Sequence, residues 1–361
     1  MLSRMSFIGF THLSSRRCKH GVLCMVQQIE DLLEHWLPLA DDAWVLAVIT
    51  HIQGSSYRKP GAMMLFHEFG QGAGILSGGC LEADLRRHAQ NAMQSQQIAC
   101  VTYDATDESD ASYRLGCGGK VDIMLIPLLK ENHDLGLVEV AKALRKRQSG
   151  FYQLPLAPAG SDARSYSAQF YSGDSAPFPT ADFVKSGIFS APEGDTLIVP
   201  LRPRFHLGIF GGGIDAQPVA AIAHGLGWQV SVFDTRTAYA RNADFPHAHI
   251  VKQSLDEVEG LIAQLDCAVV MHHNLNLDAA ALKVIQAYDL KYVALLGPAH
   301  RRDKVLAMAD LSTDSFSGYF SAPAGLALGG ELPSAVALSI LAQCHGVLHG
   351  APCSTLDGIM P

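Results

Sequence analysis

The apolar positions of this chain change period near residue 204, and that change separates two kinds of fold. Ile29, Leu32, Leu33 and Trp36 recur at i, i+3, i+4 and i+7, which predicts an amphipathic helix ended by Pro38 and the Asp41-Asp42 pair. Trp44–Ile52 is a nearly unbroken apolar run of strand length, and Ala62–Phe66 reads as its return strand. A glycine-rich stretch, 70–79, leads into a helix over Cys80–Ser95. Strands are predicted at Ile98–Tyr103 and Val121–Leu128, with a helix at Leu135–Arg147. Residues 150–203 differ in texture. Their Pro, Ser, Gly and aromatic content predicts a small β-rich layer, mobile at Ala157–Ala163.

From Phe205 short apolar strands alternate with helices. The strands are His206–Phe210, Gln229–Phe233, His249–Val251, Cys267–Met271 and Tyr292–Leu296. The helices fall after the first strand (to Leu226), near 256–265, 278–288 and 301–309, and at Pro333–Leu348. Such alternation implies a parallel sheet covered on both faces. The expectation is an α/β protein with a mixed α/β domain at 26–149, a β-rich linker or insertion at 150–203 and a doubly wound domain at 204–361. Residues 1–25 hold Arg4, Arg16, Arg17, Lys19 and His20 and no acidic residue. They resemble a transit peptide in composition, but are expected to be a disordered or non-native extension, with Met25 as the start.

Composition narrows the function. The 361 residues are 48% hydrophobic and 17% charged, enough apolar material for ordinary cores. A net charge of −8 is a poor match to nucleic-acid phosphate, and no apolar run reaches the ~20 residues of a membrane span. Eight cysteines without CxxC spacing fit neither a disulfide scaffold nor a zinc site, so a cytoplasmic location is expected.

The glycines carry the chemistry. Gly211-x-Gly213-x-x-Ala216 follows a strand and opens a helix, and Asp234 ends the next strand 21 residues after Gly213. This is the Rossmann fingerprint in context: tight turn, close backbone approach to a pyrophosphate, and an acid for a ribose hydroxyl. Asp215 is expected to cap the helix. Ser77-Gly78-Gly79-Cys80 places a thiol at a helix start, where the local dipole favours thiolate. Gly116-Cys117-Gly118-Gly119-Lys120 exposes a second thiol between glycines. Small apolar filling under a tight turn is the alternative for both cysteines. Gly54-Ser55-Ser56-Tyr57-Arg58-Lys59-Pro60-Gly61 combines hydroxyls and cations suited to an anion such as phosphate, or is a solvated hairpin. Glu82, beside Cys80, is singled out from the charged face of its helix.

Together these motifs resemble the XdhC/CoxI family of accessory proteins for molybdenum hydroxylases. The matching stretches include VITHIQGSSYRKPGAMM, GILSGGCLEADL, LGCGGKVDIMLIP and HLGIFGGGIDAQPVAAIAHGLGWQVSVFDTR. The resemblance implies a chaperone that binds the molybdenum cofactor (molybdopterin), promotes its sulfuration and delivers it to a molybdenum hydroxylase apoenzyme of the xanthine dehydrogenase type. It implies Cys117 as the cofactor-binding and metal-ligating thiolate, with Cys80 in the other family motif; the glycines Gly116, Gly118, Gly78 and Gly79 would admit the ring, and either the loop with Ser55, Ser56 and Arg58 or the helix start after Gly213 would hold the phosphate. Gly211, Gly213 and Asp234 would hold any nucleotide. A cysteine desulfurase as partner and a homodimer are further expectations.

The chain departs from the family ending at Ala327, Ser334-Ala335 and Gln343, where members commonly carry acids, and at Met271-His272-His273-Asn274. The lost carboxylates weigh against a metal or proton-transfer role there and suggest a divergent client or ligand. Two other readings compete. A nicotinamide-dependent, NAD(P) oxidoreductase would use the fingerprint, with His272, His273 or His300 as proton donor. A zinc hydrolase on His272-His273 is disfavoured, because adjacent strand residues point to opposite faces.

Overall fold

A computed structural model describes residues 28–79, 81–104 and 119–352, so Cys80, Gly116, Cys117 and Gly118 lie outside the described residues. The chain divides into two compact units, one ending at Pro203 and the other beginning at Arg204.

The first unit is built on a five-stranded antiparallel sheet of order β3-β2-β1-β5-β4. Its strands are β1 (Trp44–Gln53), β2 (Met63–His67), β3 (Gly72–Gly74), β4 (Ala99–Asp104) and β5 (Lys120–Leu128). The unbroken apolar run of β1 is explained by burial on both faces. Trp44, Leu46 and Val48 point to α1 (Ile29–Trp36) and α3 (Leu137–Arg145); Val45, Ala47 and Ile49 point to α2 (Glu82–Ser95). A second antiparallel sheet, β7-β6-β9-β8, is formed by β6 (Gly150–Pro155), β7 (Gln169–Ser172), β8 (Gly187–Ala191) and β9 (Gly194–Leu201). Tyr152, Leu154, Leu197, Val199 and Leu201 join the α1–α3 core, so residues 150–203 are one of its walls. Tyr152, fully buried, donates its hydroxyl to the Leu135 carbonyl at 2.8 Å.

The segment expected to be mobile at 157–163 is instead pinned. Ile98 N–H donates to Ser161 O, Gly160 N–H to Ile98 O and Ala163 N–H to Gln96 O, and Gln97 bridges Asp162. The α3 helix starts later than the periodicity suggests, because Asp134 and Leu135 take left-handed φ values.

The second unit is a six-stranded parallel sheet of order β12-β11-β10-β13-β14-β15. The strands are β10 (His206–Phe210), β11 (Gln229–Phe233), β12 (His249–Val251), β13 (Cys267–Val270), β14 (Tyr292–Leu295) and β15 (Tyr319–Ser321). α4 (Ala216–Gly225) and α8 (Pro333–His349) cover one face; α6 (Leu275–Ile285) and α7 (Ala299–Ala309) cover the other. The helix expected over 256–265 is only α5 (Glu259–Ile262) after a 3-10 turn. The strand order reverses between β10 and β13, which makes their carboxyl ends the topological switch point. Among the described residues no helix is long and apolar enough to cross a membrane.

Candidate functional site

The registers of the five-stranded sheet bring to one end the loop after β1, the loop after β3 and the strand ends, Asp104 and Lys120, that flank the third glycine loop. Val48 pairs with Met63, Met64 with Gly74, and Lys120 with both Gln53 and Asp104. The chain therefore leaves and re-enters the sheet at this end in the loops after β1, β3 and β4. Two of them touch. A Cβ at Gly119 would lie 2.1 Å from the Ser55 carbonyl oxygen and 2.9 Å from that of Gln53. Glycine is required there because backbone passes over backbone.

Ser55 is exposed, and Ser56 and Arg58 are half-buried. Arg58 lines a small cavity of about 70 Å³ with Ile29, Met63 and Leu201. Arg58, Lys59 and Lys120, at this end of the sheet, form no ion pair among the described residues.

The loop before Cys80 is organised by a buried acid. Glu82 is 3% exposed and heads α2. One carboxylate oxygen accepts from the N–H groups of Ser77 at 2.8 Å and Leu76 at 3.3 Å; the other accepts the Ser77 hydroxyl at 2.5 Å. That hydroxyl oxygen accepts in turn from Gly79 N–H and Leu81 N–H. Gly78 and Gly79 are exposed, a Cβ on either would meet nothing within 4 Å, and Gly79 has φ +107°. The loop is thus rigid at its base and open at its tip. Sequence reasoning singled out Glu82 for its neighbour; its partner, Ser77, it missed.

At the other end of the sheet Asp42, His67 and Glu68 each bring one donor atom within 4.8 Å of the others. Phe69 N–H donates to His67 Nδ1, which leaves Nε2 to carry the proton toward Asp42 at 3.0 Å. The cluster is a closed hydrogen-bonded pair rather than an open ligand set.

In the second unit the fingerprint loop has the expected position but not the expected free groups. Asp234, 2% exposed, accepts from Gly212 N–H at 2.8 Å and from Arg236 Nε and Nη2 at 2.9 and 2.7 Å. Burial works against its charge, but the Arg236 and Gly212 donors outweigh it, holding its carboxyl below the ordinary value. The carboxylate expected to meet a ribose is therefore occupied. Arg236 also lies 3.7 Å over the Tyr239 ring. A Cβ at Gly212 would stand 2.4 Å from Ala240 Cβ, so here the close approach is by the protein's own chain. Gly211, at φ +113°, is likewise packed against the backbone of His272.

Asp215 stands at the N-cap of α4 but makes no side-chain cap; its carboxylate pairs with His273 Nε2 at 2.5 Å instead. His272 Nδ1 pairs with Asp278 at 3.0 Å, and Arg301 binds the same buried carboxylate. The adjacent histidines thus serve different partners, but not by the strand alternation expected: both lie beyond the end of β13, and His273 takes φ +57°.

Residues 39–104 match the model of the XdhC and CoxI family, and residues 207–344 match that of the XdhC Rossmann domain. The two matches span more than half of the chain. The chain belongs to the XdhC and CoxI family. A Bacillus subtilis strain 168 protein, named as a probable xanthine dehydrogenase subunit, is 28% identical over 83% of this chain and 91% of its own length. The Escherichia coli K12 protein named molybdenum cofactor insertion chaperone PaoD is 26% identical over 84% of each chain. A crystal structure from Bacillus halodurans, described as a xanthine dehydrogenase, superposes with a TM-score of 0.74 at 28% identity, over 91% of this chain and 98% of that one.

One departure from the family ending finds its role in the fold. Gln343 Oε1 on α8 accepts from Tyr292 Oη at 2.8 Å, Ser321 Oγ at 2.6 Å and Gly325 N–H at 3.1 Å. It ties the loop after β15 to α8, a structural task that a glutamate could also perform.

Proposed function

We propose that this chain is a molybdenum-cofactor accessory protein that binds the cofactor and passes it to a molybdenum hydroxylase apoenzyme of the xanthine dehydrogenase type. The observation that carries this reading is that the loops after β1 and β3 and both strand ends flanking the third glycine loop share one sheet end, with Gly119 seated on Ser55. The names of the Bacillus subtilis and Escherichia coli relatives support it.

When bound, the cofactor supplies a thiophilic metal centre, a pterin ring and a phosphate. Soft thiolates suit that metal. Cys117, two residues before Gly119, is the proposed ligand, and Cys80, which directly follows the open Gly78-Gly79 tip, is the second thiol. The side-chain-free backbone at Gly78 and Gly79, and at Gly116 and Gly118 beside Cys117, admits a planar ring. Ser55, Ser56 and Arg58 face the phosphate, aided by Lys59 and Lys120, which no described acid pairs. The base formed by Ser77 and Glu82 holds the second loop in place. The reading extends to a cytoplasmic homodimer receiving sulfur from a cysteine desulfurase.

The test is binding of isolated molybdenum cofactor to wild type, Cys117→Ser and Cys80→Ser. Affinity should fall about tenfold or more in Cys117→Ser, the loss of roughly one strong contact. Equal affinity in all three proteins sinks the reading.

A further inference from the structure

The crevice at the carboxyl ends of β10 and β13 is where a doubly wound sheet binds its ligand. In this chain four observations set it against a dinucleotide. Asp234 is saturated by Arg236 and Gly212. Gly212, between the two fingerprint glycines, is covered by Ala240, and a Cβ position at Gly213 faces the Asp215 carboxylate at 2.8 Å. Asp215 places a carboxylate at the start of α4, where the phosphates would lie, and its pair with His273 joins the loop after β10 to the loop after β13. Beside that pair opens a cleft of about 210 Å³ whose walls are apolar: Val219, Met271, Leu296, Val336, Ala337 and Ile340.

The rim of the cleft carries the Asp215–His273 pair and a second acid, Glu331, which has no hydrogen-bond or ion-pair partner among the described residues. Their sequence neighbours Ile214 and Leu332 are 79% and 71% exposed. Apolar walls below the Glu331 carboxylate complement a lysine or arginine, whose alkyl stem lies on apolar surface while its head meets the acid. Apolar side chains standing outside the cleft exceed what a small cation would cover and fit a polypeptide.

We propose that this crevice is a docking cleft for a basic, apolar polypeptide segment, not a dinucleotide site. The inference concerns a different unit from the cofactor reading and does not depend on it.

The full chain is titrated with a short labelled helical peptide of leucine and lysine, with the same peptide carrying glutamate for lysine, and with NADH and NADPH. The lysine peptide should bind, the glutamate peptide should not, and neither nucleotide should bind. Glu331→Lys and Leu332→Ser, both at exposed positions, should each weaken the lysine peptide about tenfold with an unchanged circular dichroism spectrum, since a reversed rim charge opposes a basic partner. Lysine-peptide affinity unchanged in both variants overturns the proposal. So does NADH or NADPH binding that is lost in Asp234→Asn.

Discussion

The carboxylate of Glu82 takes the hydroxyl of Ser77 at 2.5 Å from within the core, so the base of the Ser-Gly-Gly loop is fastened to the first residue of α2. The same carboxylate accepts two backbone N–H groups. Replacement by alanine would leave these donors buried and unpaired, and hydrogen bonds to a charged group contribute roughly 1.5–3 kcal/mol. Glu82→Ala should lower the urea midpoint by a stability loss of about 2–4 kcal/mol. Glu82→Gln keeps one oxygen acceptor and should lose less than half as much. If urea unfolding ranks the two variants equally, the carboxylate is not what holds the loop.

Two glycines of these loops make opposite predictions. Gly119→Ala puts a Cβ against the Ser55 carbonyl, where neither backbone can retreat without parting β1 from β5. Gly78→Ala enters open space. The first should destabilise the chain by about 2 kcal/mol, in the range of overpacking. The second should leave stability within about 0.5 kcal/mol of wild type. Thermal unfolding of the two variants side by side checks both.

Asp234 and Arg236 predict an acid-side dependence. Folded Asp234 keeps its charge to lower pH than the unfolded chain does. Its contribution is complete above the ordinary carboxylate value near ~4 and is lost as pH falls through the folded value. Arg236→Met removes the two side-chain donors that oppose burial, so the folded carboxyl rises and the acid-side loss of stability shrinks or vanishes. The cost at neutral pH should be about 2 kcal/mol, less than the 3–5 of a fully buried pair because Arg236 is 27% exposed. Adding Asp234→Asn should recover part of it. Unfolding free energies from pH 3 to 7 decide, and a parallel profile for wild type and Arg236→Met would count against the pair.

What the sequence made legible follows from local pattern. Trp44–Ile49 of β1 and Leu207–Phe210 of β10 form apolar runs because both faces of their sheets are covered, and the three glycine loops stand out by composition. β3 escaped because Gly72-Ala73-Gly74 carries almost no side-chain signal. β15, three residues long, is held by its pairing with β14. The Asp234–Arg236 pair was readable in principle, being two residues apart at a strand end, but the fingerprint assigned the acid to a ligand first. The His272–Asp278–Arg301 network joins three elements and leaves no local trace.

Gln343 offers a test of what the missing acids at the chain's end mean. Three donors, from Tyr292, Ser321 and Gly325, meet on its one oxygen, and Gln343 is 9% exposed. Burial also holds the Tyr292 hydroxyl far above its ordinary pKa, so it stays protonated and remains a donor across the accessible range. Gln343→Leu keeps the volume but strands the Tyr292 and Gly325 donors, while the Ser321 hydroxyl can still turn to the Pro323 carbonyl at 3.2 Å, at a cost of roughly 1–3 kcal/mol for the buried groups that water cannot reach. Gln343→Glu presents an acceptor of the same reach with a charge that three donors can support, and should stay within about 1 kcal/mol of wild type near neutral pH. Thermal unfolding that finds both variants equally damaged would mean the position is matched to a neutral amide. A tolerated glutamate would mean that its loss from this chain altered no fold-holding contact, so the divergence at this end reflects the ligand or client rather than the fold.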